Sequence, residues 1–439
     1  MTAITTDIKA DTGYSSGAPR MGRARAIGAS IIGNALEWYD FTVYATLAAI
    51  IGKSFFPNTD DTVMLLSTFA VFGVGFVARP LGGLLIGLFG DRFGRKPALL
   101  FTVFMMAVGT GLIGILPTYA TIGIAAPILL VCARLLQGFA AGGEWGGSAS
   151  FLVEWAPPNK RGFYGSFHPA SVFLGQLTGL GTTALLTMQL GTDVMADWGW
   201  RIPFLLGALI GPLGLLMRKK VDETPTFKRA MAEPVPVVAP DARPMWVTLV
   251  HAFCFVAVQS VVVYTFFSYF PTFMQKYLGL TASQALWSTT FANLVVLITC
   301  PIAGALSDRI GRKPLMLVHC FSFLLLTYPL MWLLLRNGAS FPTVVAIQAF
   351  LAVLTGLFLG SFPAALVELF PTRKRLAGLG TAYNLASMVF GGFAPFIATW
   401  LIKVTGNPIA VSAYTIFAAV LSTIAVLLLR ETAHKPALD

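Results

Sequence analysis

Gly87-Leu88-Phe89-Gly90-Asp91-Arg92-Phe93-Gly94-Arg95-Lys96 is a short charged stretch between two long apolar runs, and it returns as Gly304-Ala305-Leu306-Ser307-Asp308-Arg309-Ile310-Gly311-Arg312-Lys313. The spacing Gly-xxx-Asp-Arg-x-Gly-Arg-Lys is kept without a gap, and Asp308 follows Asp91 by 217 residues (308 minus 91). A second pair, Glu154-xx-Pro157-xxx-Arg161 and Glu368-xx-Pro371-xxx-Arg375, is offset by 214 residues (368 minus 154). Two signatures repeating at nearly one offset mean that two halves of the chain share one plan.

The 439 residues are 56% hydrophobic and only 11% charged, with mean hydropathy +0.76. A soluble protein carries roughly 25% charged residues, so composition alone places this chain in a membrane. Apolar runs of about 20 residues suffice to cross a bilayer. Twelve are read, at 26–52, 63–89, 98–117, 121–147, 162–188, 200–217, 246–273, 284–306, 314–335, 342–367, 376–402 and 409–429. Each must be helical, since lipid offers backbone groups no other partner outside a closed barrel. The expected organisation is a disordered tail (1–22), a six-helix bundle (23–217), a linker (218–245), a second bundle (246–430) and a short tail (431–439).

The net charge of +11 is topological. With both ends cytoplasmic, 23 Lys and Arg fall in inside segments and 5 in outside segments, leaving Arg79 and Arg134 within spans. That is the positive-inside bias, not a nucleic-acid stripe. Cys132, Cys254, Cys300 and Cys320 lie in apolar spans without metal or redox spacing and read as buried free thiols. The polar first residues lack the apolar core of a cleaved signal peptide.

Charged residues inside spans are expensive and functional by default. In the first span Asn34, Glu37, Tyr39 and Asp40 cluster, with Glu37, Asp40 and Tyr44 on one face at i, i+3, i+7; the plainer alternative is a solvated interfacial position. Arg79 lies mid-span in the second run and requires a partner, for which Glu37, Asp40 and Glu144 are the candidates. In the fourth, Arg134, Gln137, Ala141 and Glu144 share one face. Arg134 and Glu144 are separated by about 15 Å of helix rise and cannot meet. His168 and Gln176 mark the fifth span, with a packing role open for the histidine. The second half is poorer in charge; Tyr264, Asn293, Tyr383 and Asn384 are its polar candidates, and Glu368 its acidic one near a loop. Asp91 sits where a carboxylate can face a neighbouring helix N-terminus, and Arg92 and Arg95 supply charge-assisted hydrogen bonds.

Two motif matches are decoys. Gly109-Thr110-Gly111-Leu112-Ile113-Gly114 matches a dinucleotide fingerprint but lies inside an apolar span with no preceding strand. Gly52-Lys53-Ser54 lacks the first glycine of a phosphate loop, Leu47 standing there. Neither nucleotide-driven pumping nor an enzyme nucleophile set is read, and no cofactor or metal is expected.

The repeated charged loop, the twelve spans and their halves resemble the major facilitator superfamily. Gly33-Asn34-xx-Glu37-Trp38-Tyr39-Asp40-Phe41, Arg79-Pro80-x-Gly82-Gly83, Gln137-Gly138-xxx-Gly142-Gly143-Glu144 and Trp198-Gly199-Trp200-Arg201-Ile202-Pro203-Phe204 are similar to its metabolite:proton symporters. That family includes α-ketoglutarate, citrate, shikimate and proline/betaine permeases. The resemblance implies an all-α fold of two pseudo-symmetric six-helix bundles in a bacterial inner membrane. It also implies that the repeated loop is a latch: Asp91, Arg92, Arg95, Glu154, Arg161, Asp308, Arg309, Arg312, Glu368 and Arg375 are the gating candidates. Substrate-facing candidates are Arg79, Arg134, Gln137, His168, Asn34, Tyr39, Gln176, Tyr264, Asn293, Tyr383 and Asn384. Proton-coupling candidates are Glu37, Asp40 and Glu144.

The expected function is proton-coupled uptake of a small organic acid, because Arg79 and Arg134 are the only cations within spans to meet a carboxylate. A zwitterionic osmolyte, caged by aromatics, is the alternative; a ligand sensor that does not transport is a second, and a facilitator or exporter without proton coupling a third.

Overall fold

The computed structural model describes residues 20–56, 61–233, 244–336 and 340–433. Twelve helical spans carry the chain back and forth, and no strand occurs among the described residues. Spans one to six are Arg20–Thr46, Asp61–Phe93, Arg95–Ile115, Ala125–Trp155, Arg161–Val194 and Arg201–Lys219. Eight, nine, ten and twelve are Ala282–Ile310, Arg312–Arg336, Phe341–Val367 and Val411–Leu428. The seventh and eleventh are broken: Met245–Val263 passes through a π-helical turn, Tyr264–Tyr269, into Phe270–Tyr277, and Arg375–Ala386 passes through Ser387–Gly392 into Ala394–Thr405. An even number of crossings puts the first and last described residues on one side, called here the basic side.

The structure departs from the sequence reading most at the entry to the first bundle, in the linker and at the end of the fourth span, which runs to Trp155 rather than 147. The first span starts at Arg20, inside the tail expected at 1–22, and a short helix, Ala48–Phe55, continues it after a break. The remainder of that tail, 1–19, lies outside the described residues. The linker is not a bare tether, since Pro225–Ala232 is a helix. Its start is written locally: Thr224 is the N-cap, accepting from the Phe227 N–H, and Pro225 occupies the first turn, where its missing N–H costs nothing.

Within the first bundle, spans two and four pack along small residues. A Cβ at Gly138 would collide with the Gly75 carbonyl, so bulk there would push the two helices apart. Between the bundles, span two packs on span eleven and span five on span eight. Cys300 and Cys320 are buried as expected, Cys254 is half-buried, and Cys132 is exposed on the lipid-facing surface of span four.

Candidate functional site

At the basic side the two charged loops close two crossed clasps. Asp91 accepts the Leu376 and Ala377 N–H groups at 3.0 and 2.9 Å, at the N-terminus of span eleven. Asp308 accepts those of Gly162 and Phe163 at 2.8 and 2.9 Å, at the N-terminus of span five. Each carboxylate thus meets the positive end of a helix in the opposite bundle. Arg95 bonds Asp91 at 3.1 Å, Glu154 at 3.4 Å and the Thr372 carbonyl at 2.6 Å. Its counterpart Arg312 bonds Asp308 at 2.6 Å and approaches Glu368 at 3.6 Å. Arg375 reaches Glu154 at 2.8 Å and Arg161 reaches Glu368 at 3.5 Å, again across the bundles. Arg92 and Arg309 do not join: both are exposed, because in each loop they follow the aspartate by one residue and so point off its face.

The clasps contain residues that the motif reading missed. Glu223 accepts the Lys96 N–H at 3.0 Å, and Glu431 accepts those of Arg312 and Lys313, each at 3.0 Å. Both carboxylates cap a helix entered through a glycine at positive φ, Gly94 (114°) and Gly311 (101°). The next residue then bonds the clasp glutamate: Thr224 donates to Glu154 at 2.5 Å, and Thr432 to Glu368. The signal was a third internal repeat, Glu223-Thr224 and Glu431-Thr432, 208 residues apart (431 minus 223). Burial pushes the Glu431 carboxyl up, but the N–H groups of Arg312, Lys313, Ala433 and Thr432 outweigh it and hold the group below its ordinary range. The linker helix completes the arrangement, with Phe227 against the Arg95 guanidinium and the Ala230 and Glu233 carbonyls accepting from Arg373 at 2.6 Å.

Deeper in the first bundle lie three buried ion pairs. Nearest the far side, Arg134 meets Asp40 at 3.1 Å, with Gln137 bonding both and also Thr110. One turn along span one, Arg79 meets Glu37 at 3.0 Å and lies between the Phe41 and Phe76 rings at 4.7 and 4.5 Å. Nearest the basic side, Glu144 meets Arg218 at 2.5 Å. Of the three partners weighed for Arg79, the structure selects Glu37. Glu144 turns instead to a cation at the end of span six that the charge count treats as purely topological.

The bundles meet at mid-depth in aromatic contacts. Tyr264 of span seven packs on Trp38 and Phe76, with ring centroids 6.4 and 5.5 Å away. Tyr383 of span eleven stacks on Trp145 at 3.8 Å. His168 meets the same tryptophan edge-on and bonds Ser148 through Nδ1 at 2.7 Å. Arg79 and Glu37 lie directly behind this layer.

Several substrate-facing candidates are committed elsewhere. Tyr39 donates to the Pro203 carbonyl at 2.9 Å, which holds span one to span six. Asn34 bonds the His168 carbonyl and Ser171, at 3.0 and 2.7 Å, and so ties span one to span five. Asn384 bridges the bundles through the Gly142 carbonyl at 2.7 Å. Arg134 is fully buried against the Tyr44 ring at 3.6 Å. Helix rotation explains these departures: three- and four-residue spacing identifies a face but not the neighbour it meets. Gln176 and Asn293 are buried in spans five and eight. Among the described residues no three His, Cys, Asp or Glu side chains form a metal set.

Two helical bundles clasped at one end around a charged midplane define a secondary-carrier architecture. The Major Facilitator Superfamily model matches residues 30–337 and 274–439. The chain is 34% identical over 430 residues to the ectoine/proline transporter ProP of Corynebacterium glutamicum, covering 94% of this chain and 85% of that protein. To the citrate-proton symporter of Klebsiella pneumoniae it is 37% identical over 394 residues, covering 90% and 88%. To the inner membrane metabolite transport protein YhjE of Escherichia coli it is 37% identical over 445 residues, covering 99% and 100%. A solved structure of the proton:xylose symporter XylE bound to 6-bromo-6-deoxy-D-glucose shares the fold with TM-score 0.80 at 17% identity, over 95% and 98% of the two chains. The chain belongs to the major facilitator superfamily and, within it, to the metabolite:proton symporters.

Proposed function

We propose that this chain is a proton-coupled symporter of a bacterial inner membrane, with both termini and the basic side cytoplasmic, that takes up a small organic acid by alternating access. The observation that carries this reading is the Glu37–Arg79 pair behind the aromatic seam. Arg79 spends one amino group on Glu37, and its buried Nε has no protein partner among the described residues. A substrate carboxylate arriving between the bundles competes for that guanidinium. Glu37, losing its cation in a buried site, then favours its protonated form. Loaded and protonated, the site is neutral again, and the bundles rock about the midplane as the Asp91 and Asp308 clasps release.

Arg134 spends one amino group on Asp40 and Gln137 and lies fully buried against the Tyr44 ring, away from the aromatic seam, so one carboxylate of the substrate is anchored by Arg79. A second reading, the zwitterionic osmolyte, is favoured by the neutrality of the pair and the rings beside it: Glu37 would face the substrate cation, with Trp38, Phe76 and Tyr264 as walls. Two of the relatives carry these two substrate types in their names.

The test is uptake of labelled α-ketoglutarate, citrate, proline and betaine into proteoliposomes, with and without an inward proton gradient. Accumulation of an acid that an uncoupler collapses supports the first reading, and of proline or betaine the second. Equal flux with and without the gradient refutes coupling.

A further inference from the structure

The three ion pairs stand on one line through the first bundle. On span one, Asp40, Glu37 and Gly33 follow at i, i−3 and i−7 on one face, and the Arg218 guanidinium crosses span one at Gly33, where a Cβ would strike it. By helix rise the steps are about 4.5 and 6 Å. Span four supplies the opposite rail, with Arg134 at the top and Glu144 at the bottom, about 15 Å apart by helix rise. Glu37 therefore stands about one turn along span one from the Arg218 guanidinium that holds Glu144. The lowest rung is held on every side: Arg218 bonds both Glu144 oxygens, at 3.1 and 2.5 Å, and Thr102 of span three donates to the same carboxylate at 2.5 Å. The Ala29 and Leu99 carbonyls fix Arg218 at 3.2 and 2.7 Å.

Below Arg218 a small cleft opens among spans one, three, four and six, lined by Ala29, Ser30, Lys96, Leu99, Phe151 and Val221. The buried Ser30 hydroxyl has no protein partner among the described residues. At its mouth Lys96 donates to the Lys219 carbonyl in an exposed bond. The cleft lies within one bundle, apart from the seam between the bundles.

Resting on the coupling proposed above, we propose that Glu144 is the proton-release group and that the proton leaves through the wall of the first bundle by this cleft, separately from the substrate. The Glu37 carboxyl gives its proton across one helix turn, through an intervening water, to the Glu144 carboxylate. Glu144 passes it to water beside Ser30, and Arg218 stays protonated throughout, restoring the ion pair. The charged groups facing Glu144 are Arg218 and, one turn away, Glu37; Lys96 stands at the mouth. A separate route lets the proton depart once the Asp91 and Asp308 clasps have released, without sharing the seam by which the substrate leaves.

The test follows solute accumulation and lumenal acidification, by an entrapped pH dye, in proteoliposomes. An inward gradient of one pH unit supports about tenfold accumulation at one-to-one coupling. Glu144→Gln is expected to bring accumulation to onefold and to abolish acidification, while solute affinity measured by binding is unchanged. Because that variant leaves Arg218 unpaired, the neutral pair Glu144→Gln with Arg218→Gln is measured beside it and is expected to give the same loss. Ser30→Leu, which fills the cleft, is expected to slow acidification while leaving solute affinity unchanged. Wild-type vesicles that accumulate without acidifying overturn coupling itself and this route with it. Intact coupling in wild type and equally in the Glu144 variants overturns only the release route.

Discussion

Asp91→Asn is expected to open the basic side. The carboxylate accepts two N–H groups of span eleven at 3.0 and 2.9 Å and is bound by Arg95 at 3.1 Å. An amide keeps one acceptor oxygen and turns an NH₂ group toward the other N–H. The loss is one charge-assisted hydrogen bond, about 1.5–3 kcal/mol, plus roughly 0.3–1 kcal/mol from the helix terminus. Together these shift the closed-to-open equilibrium by about 2–4 kcal/mol, between one and three orders of magnitude at about 1.4 kcal/mol each. Asp308→Asn removes the mirror clasp and carries a similar shift. The readout is the distance between spin labels at Arg92→Cys and Arg309→Cys, exposed positions in opposite bundles, in a chain without its native cysteines. Wild type is expected to show one short distance, and either aspartate variant a longer population. If both variants keep the wild-type distance distribution, the clasps do not hold the bundles together and the reasoning fails.

Three further outcomes follow from the same geometry. Glu431→Gln is expected to lower thermal stability at neutral pH, and the difference from wild type to vanish on acidification. The folded-state pKa of Glu431 lies below its ordinary value, so its contribution is complete above that ordinary value and is lost as pH falls through the folded one; a difference that persists in acid removes the charge as the cause. Tyr39→Phe is expected to cost about 1 kcal/mol of stability for the lost Pro203 bond and to leave transport KM unchanged; a raised KM would return Tyr39 to the substrate site. Gly138→Val is expected to destabilise the bundle by at least about 3 kcal/mol through collision with the Gly75 carbonyl, read as loss of monodisperse protein, whereas Gly181→Ala, with open space around it, is expected to be tolerated.

Much of this protein was legible along the chain because membrane crossing is a local property. Length, apolar content and the obligation to pair every backbone group in lipid determine where each span runs. The duplicated Asp91 and Asp308 loops place the halves in register, and the placement of Lys and Arg gives an expected orientation. Glu37, Asp40, Arg79, Arg134 and Glu144 stand out singly because charge inside a span is costly wherever it falls. What each of them meets is a different question, decided by how helices rotate and pack. Arg79 took Glu37 from three candidates in reach. Glu144 took Arg218, which the sequence places in a basic run next to Lys219 and Lys220. Tyr39 and Asn34, on the motif most similar to the family, spend their polar groups on holding spans six and five. Glu223 in the linker and Glu431 in the last segment reach a helix N-terminus behind a glycine only through the fold. An ion pair in a bundle is a relation between helices distant in sequence, so spacing within one helix could nominate these charges, and only the tertiary packing could pair them.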